Sequence, residues 1–179
     1  MSSLFIEPHQ DDAILFGAFT LMREKPLVLS LTDSFIQPNR GEKGCSAAER
    51  RQETIEACKL LGCPVVFAGL RDDSLDKCQI EGVLSRFHGF DKVYAPAIQG
   101  GNAQHDLIGE CVKKWRPDVI QYTTYTKTEL YTEGDIEITP SKIEQELKLK
   151  ALGCYPSQLN LRSTRPHFEA IAGKSEWYA

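Results

Sequence analysis

The chain has 179 residues, of which 41% are hydrophobic and 26% charged, and a formal net charge of -4. This is enough apolar material for one globular domain with a sizeable core, across residues 1–179. The acidic balance gives no electrostatic case for nucleic acid or an anionic membrane. The longest clearly apolar stretch, Ala13 to Met22, is about half of what a membrane span needs.

A short apolar strand, Leu4–Ile6, opens the chain and runs into His9, Asp11 and Asp12, after which Ala13 starts an apolar, helix-like run. A second strand is predicted at Leu27–Leu31. The Gly-rich, polar segment Asp33–Cys45 follows, long enough to be a functional loop. Ser46 and Glu49 read as a capping box. Behind them, Ile55, Cys58 and Leu61 mark a helix that Gly62 stops. Further strands are predicted at Val65–Ala68, Lys92–Ala95 and Val119–Tyr122. The stretch "APAIQGGNAQHDLIG" lies after the fourth strand and carries a polar turn and His105 at a helix start. A second long segment, Thr123–Thr139, resists assignment. A late helix opens at Thr139-Pro140 and ends at Gly153.

This alternation predicts βαβ units in a single-domain α/β fold, with a Rossmann-like, mostly parallel sheet flanked by helices. No segment reads as a repeat or a low-complexity linker. Six cysteines are scattered without a C-x-x-C pair. They read as reduced, mostly buried thiols of a cytoplasmic protein. The N-terminus has no basic region ahead of an apolar one, so no secretory signal is expected.

In such sheets ligands bind where strands end and helices begin. Both His9-Gln10-Asp11-Asp12 and the turn before His105 lie at such points. His9 and Asp12 are spaced to bring imidazole and carboxylate together across the turn. Asp11 and Asp12, as helix neighbours, point about 100° apart. One acid can therefore bind a metal while the other faces the open position. With His105 as third ligand, two histidines, a carboxylate and water make a catalytic Zn2+ site. The metal lowers the water's pKa, and the unligated acid takes its proton. A second reading also stands: paired acids at a helix start cap free N–H groups and complement the dipole, and Asn102 is the N-cap of the helix bearing His105.

The motifs resemble a known family. "PHQDDAILFGA" is similar to the first signature, (A/P)-H-P-D-D-E, of the PIG-L/LmbE family of metal-dependent N-acetylglucosaminyl de-N-acetylases. "ERRQETIEACKLLG" resembles its R-x-x-E-x-x-x-A-x-x-x-L-G helix. "GLRDDSL" resembles its acidic loop, "NAQHDL" stands where the family has H-P-D-H, and "KLKALGCYPSQL" resembles a late K-x-x-A-L-x-x-(H/Y)-x-S-Q segment. The matches run from about residue 4 to residue 158, in the family's order.

The resemblance implies metal ligands at His9, Asp12 and His105, a general base at Asp11, and substrate-facing side chains at Arg50 and Asp72. Gln10 and Ala13 depart from the signature's Pro and Glu, at positions expected to support ligands rather than to ligate. Asn102 replaces the first His of H-P-D-H, which in the family is thought to help stabilise the oxyanion or support the base. Asn102 is thus a weakened catalytic position or a helix cap. His88 and His167 match no ligand position and read as structural or surface histidines. The implied activity is zinc-dependent removal of an N-acetyl group from an amino sugar of the GlcNAc type or its conjugate. The partner is then a small molecule, not nucleic acid or membrane. The alternatives are a metal-dependent amidase acting on a non-sugar amide, and a sugar-binding family member that has lost turnover.

Overall fold

The computed structural model describes residues 2–36, 44–162 and 164–179. Five strands form a parallel core: β1 (Ser3–Glu7), β2 (Leu27–Thr32), β3 (Val65–Leu70), β4 (Lys92–Pro96) and β5 (Ile120–Tyr122). Each coincides with a strand predicted from apolar runs. Two further strands close the other edge: β6 (Ile136–Ile138) and β7 (Glu176–Tyr178), with β7 antiparallel to β5 and β6 antiparallel to β7. The sheet order is β3-β2-β1-β4-β5-β7-β6.

Side-chain alternation along β1 divides the core. Phe5 points to one face, into a cluster with Tyr94, Tyr122 and apolar residues of α1 (Asp12–Glu24), α2 (Ala47–Leu61), α5 (Lys142–Leu152) and α7 (Arg165–Ile171). Leu4 and Ile6 point to the other, against α3 (Lys77–Leu84) and α4 (Ala103–Trp115). Successive strand residues face opposite sides, so the apolar run Leu4–Phe5–Ile6 of this central strand needs helices on both. The short α6 (Pro156–Leu159) leads into α7.

Two glycines permit close approach. A Cβ on Gly17 would collide with the Phe5 ring, and one on Gly109 would lie 2.6 Å from the Pro96 carbonyl oxygen. Their absence lets α1 and α4 lie tightly on β1 and β4.

The capping box of α2 forms as expected, and Gly62 ends it in the left-handed conformation at φ 74°. The late helix starts two residues further on than Thr139-Pro140 suggests. Ser141 is its N-cap and pairs with Glu144 in a second capping box. A side chain that accepts an orphan N–H outweighs the preset φ of Pro140 in deciding where the helix begins. All six cysteines are free, and four are buried. Residues 37–43 of the Asp33–Cys45 segment lie outside the described residues. Among the described residues no helix is long and apolar enough to cross a membrane.

The sheet order reverses between β1 and β4. There the helices leaving the two strands diverge to opposite faces and open a crevice, where parallel sheets bind ligands. His9 follows β1, and His105 lies on the first turn of α4, after β4.

Candidate metal centre

The first turn of α1 shows how its acids are used by the helix terminus. Asp11 is the N-cap, yet its side chain makes no capping bond. The free N–H of Ala13 is instead accepted by Glu7 Oε2, at 2.9 Å, from the end of β1. Glu7 is fully buried, and burial pushes its carboxyl up to about 8. With Glu7 serving that N–H, neither aspartate is held by the helix terminus. Asp12 Oδ2 accepts from the His9 backbone N–H at 2.8 Å, which fixes the carboxylate beside His9 Nδ1.

Asp12 Oδ2 lies 3.2 Å from His9 Nδ1 and 3.1 Å from His105 Nε2, and the two ring nitrogens are 3.1 Å apart. A tetrahedral ion with ligand bonds near 2.1 Å separates its ligands by about 3.4 Å. The three atoms thus form a triangle close to one face of such a coordination shell, and this His9–Asp12–His105 cluster is the candidate metal group among the described residues.

The electrostatics ask for the same thing. Burial works against a charge on His9, yet its hydrogen bonds with Asp12 and Asp72 outweigh it and hold the imidazolium well above the ordinary histidine range. Burial pushes Asp12 up, but His105 and His9 together hold its carboxyl well below the usual carboxylate range. A cluster that draws a proton onto itself against burial is one that a cation satisfies.

The far nitrogen of His9 fixes the tautomer. Nε2 lies 2.8 Å from Gln104 Oε1 and 3.3 Å from Asp72 Oδ1. Both neighbours are acceptors, so Nε2 carries the hydrogen and Nδ1 keeps its lone pair for an ion. Gln104 is itself tied down, its Nε2 donating to the Asp72 carbonyl oxygen at 2.6 Å. Asp72, expected to face substrate, is therefore placed to orient His9, although it also lines the cavity.

Asp11 stands beside the triangle without joining it. Its Oδ1 is 3.1 Å from Arg50 Nη2, a guanidinium only 2% exposed. Asp11, Asp12, His9, Arg50, Asp72 and Asn102 line one cavity of about 300 Å³. Arg50 Nε and Nη1 have no hydrogen-bond partner among the described residues.

Asn102 is the N-cap of α4: its Oδ1 accepts from Gln104 N–H at 2.8 Å and His105 N–H at 3.4 Å. Its Nδ2 donates to the Tyr125 hydroxyl at 3.1 Å. Asn102→Ala is expected to lower stability by about 1 kcal/mol, measured by urea denaturation. An unchanged midpoint would mean that water serves those N–H groups equally well.

The reading of His88 and His167 as structural or surface histidines gains a location for each. His88 is exposed, but His167 lines the cavity and its ring packs on Tyr125 at 4.6 Å. Gln104, Tyr125 and His167 line the cavity without having been singled out in the sequence. Gln104 was legible as a polar neighbour of His105, and Tyr125 as the aromatic of a long loop. His167 carries no local signal, because only the packing of α7 brings it in.

The family profile described as GlcNAc-PI de-N-acetylase (PIG-L) matches residues 4–133. No curated protein sequence matches the chain. Among solved structures, the chain is similar to the N,N'-diacetylchitobiose deacetylase of Pyrococcus horikoshii, with TM-score 0.75 and 19% identity over 99% of this chain and 82% of that one. It is similar to a deacetylase of the teicoplanin biosynthetic pathway, with TM-score 0.71 and 17% identity over 98% and 95% of the two chains. It is similar too to GalB, the 4-carboxy-2-hydroxymuconate hydratase of Pseudomonas putida KT2440, with TM-score 0.70 and 17% identity over 99% and 95%. At such identities the likeness establishes the fold alone, and a hydratase among the neighbours means that the reaction must be argued from the site.

Proposed function

We propose, since the chain belongs to the PIG-L family of GlcNAc-PI de-N-acetylases, that it is a metal-dependent hydrolase that removes an N-acetyl group from an amino sugar or its conjugate. The observation that carries this reading is the different placement of two adjacent acids: Asp12 joins His9 and His105, while Asp11 faces the cavity, held by Arg50.

His9 Nδ1, His105 Nε2 and Asp12 Oδ2 would hold the ion, and this nitrogen-rich donor set suits Zn2+. A bound divalent ion supplies Lewis acidity toward the amide carbonyl and acidifies the attacking water. Asp11 accepts that water's proton as the new C–O bond forms on the carbonyl carbon. The carbonyl electron pair moves onto oxygen and then returns as the C–N bond breaks. Asp11 delivers the proton to the departing nitrogen, leaving acetate and a free amine. Arg50 fixes the Asp11 carboxylate and keeps the three N–H groups of Nε and Nη1 for the substrate.

The deacetylases among the structural neighbours support a sugar-type substrate. A cavity of about 300 Å³, at the lower end of the ligand-pocket range, suits one sugar residue better than a chain. The free, mostly buried thiols fit a reducing compartment such as the cytoplasm.

The test is acetate release by Zn2+-reconstituted protein over a panel of N-acetylglucosamine, N,N'-diacetylchitobiose and N-acetylglucosaminyl conjugates. Turnover of at least one amino sugar is expected. Release only from non-sugar N-acetyl amides would make it a general amidase. Saturable sugar binding without release would make it a binding protein.

A further inference from the structure

The segment Thr123–Thr139, which the proposed chemistry leaves unused, contributes one side chain to the site. We propose that Tyr125 is a catalytic residue whose hydroxyl donates a hydrogen bond to the oxygen on which negative charge develops. This rests on the hydrolytic reading above and deepens it.

The argument begins with Asn102. An amide side chain has one acceptor end and one donor end. The acceptor end of Asn102 must face the N–H groups of Gln104 and His105, because the reverse orientation would set N–H against N–H. Its Nδ2 therefore faces Tyr125, and the hydroxyl oxygen accepts at 3.1 Å. A phenol that accepts from Asn102 keeps its own hydrogen for another partner. Tyr125 lines the same cavity as Asp11, Asp12 and Asn102, and no hydrogen bond donated by its hydroxyl occurs among the described residues.

The group is also held in place, as a preorganised donor must be. The Tyr125 ring contacts His105 at 5.4 Å and His167 at 4.6 Å between centroids. On its backbone, Thr124 N–H donates to Gln99 Oε1 at 2.7 Å and Thr126 N–H to the Glu129 carbonyl at 2.9 Å. Gly101 lets the Tyr125 carbonyl approach so closely that any Cβ there would collide with it. Asn102 thus has two tasks, capping α4 and aiming the phenol, and His167 is a positioning residue behind the ring.

Two variants test this in Zn2+-loaded protein. Tyr125→Phe keeps the ring and removes the donor. It should lower kcat by roughly 10²-fold, with KM, zinc content and melting temperature unchanged. Asn102→Asp retains a capping oxygen but turns the donor end into an acceptor, which draws the phenol proton away from the cavity. It should lower kcat similarly, yet cost little more in the Tyr125→Phe background. A readout independent of the sugar is the affinity for acetate, the reaction's carboxylate product. Calorimetric titration should show it about tenfold weaker in Tyr125→Phe. If the wild-type protein released no acetate from any amino sugar but lost acetate affinity with Tyr125→Phe, the hydrolytic reading would fail while the donor stood. Acetate affinity equal in wild type and Tyr125→Phe, or a kcat within twofold of wild type, would overturn the role of Tyr125.

Discussion

His105→Ala is expected to empty the metal centre. Protein purified without chelator should carry close to one divalent ion per chain, and the variant only a small fraction of that by elemental analysis, with acetate release lost in step. The reason is geometric. His105 is 1% exposed and its Nε2 supplies one corner of the triangle. Its removal leaves one imidazole and one carboxylate, and no other histidine, cysteine or acid among the described residues completes a cluster of three there. Two protein ligands are one fewer than catalytic zinc sites use. The exposed His88 supplies the control, since His88→Ala should keep its ion. Full occupancy in His105→Ala would mean that the ligand set is wrong.

Asp11→Asn should separate the two adjacent acids by function. The variant is expected to bind metal as the wild type does while hydrolysing roughly 10²–10⁴-fold more slowly, which is what a general base is worth. Asparagine keeps the shape of the side chain and an oxygen facing Arg50 Nη2, now 3.1 Å from Asp11 Oδ1, but it cannot take a proton from water. Some stability should be lost as well, because the buried guanidinium of Arg50 no longer meets a full countercharge. Asp12→Asn is the contrasting variant and should lose the ion, because Asp12 Oδ2 meets both histidines. If Asp11→Asn lost the metal and Asp12→Asn kept it, the roles assigned to the two acids would have to be exchanged.

Short-range pattern was sufficient for much of this molecule. The five parallel strands are runs of apolar residues punctuated by helices, and burial on both faces demands that pattern regardless of distant context. The α2 capping box and the Gly62 stop depend on residues within one turn of each other, so they too could be read locally. The His9–Asp12 spacing was legible because the two residues share a turn. His105 was legible as a second strand-end histidine, because parallel sheets gather such ends at a reversal of strand order.

Tertiary structure decided what depended on partners far along the chain. Strands β6 and β7 are three residues each and are separated by 37 intervening residues; their pairing is a property of neither segment. Nothing local shows that Glu7 takes the Ala13 N–H and so releases both aspartates. Nor does anything local show that Asp72 meets the back of His9, that Asn102 aims its amide at Tyr125, or that His167 packs behind that ring. In each case the residue type was compatible with several roles, and the backbone's path through a twisted sheet selected one. A sequence carries the identity of its donors and acceptors, but which of them are spent on one another is determined only when distant segments are packed together.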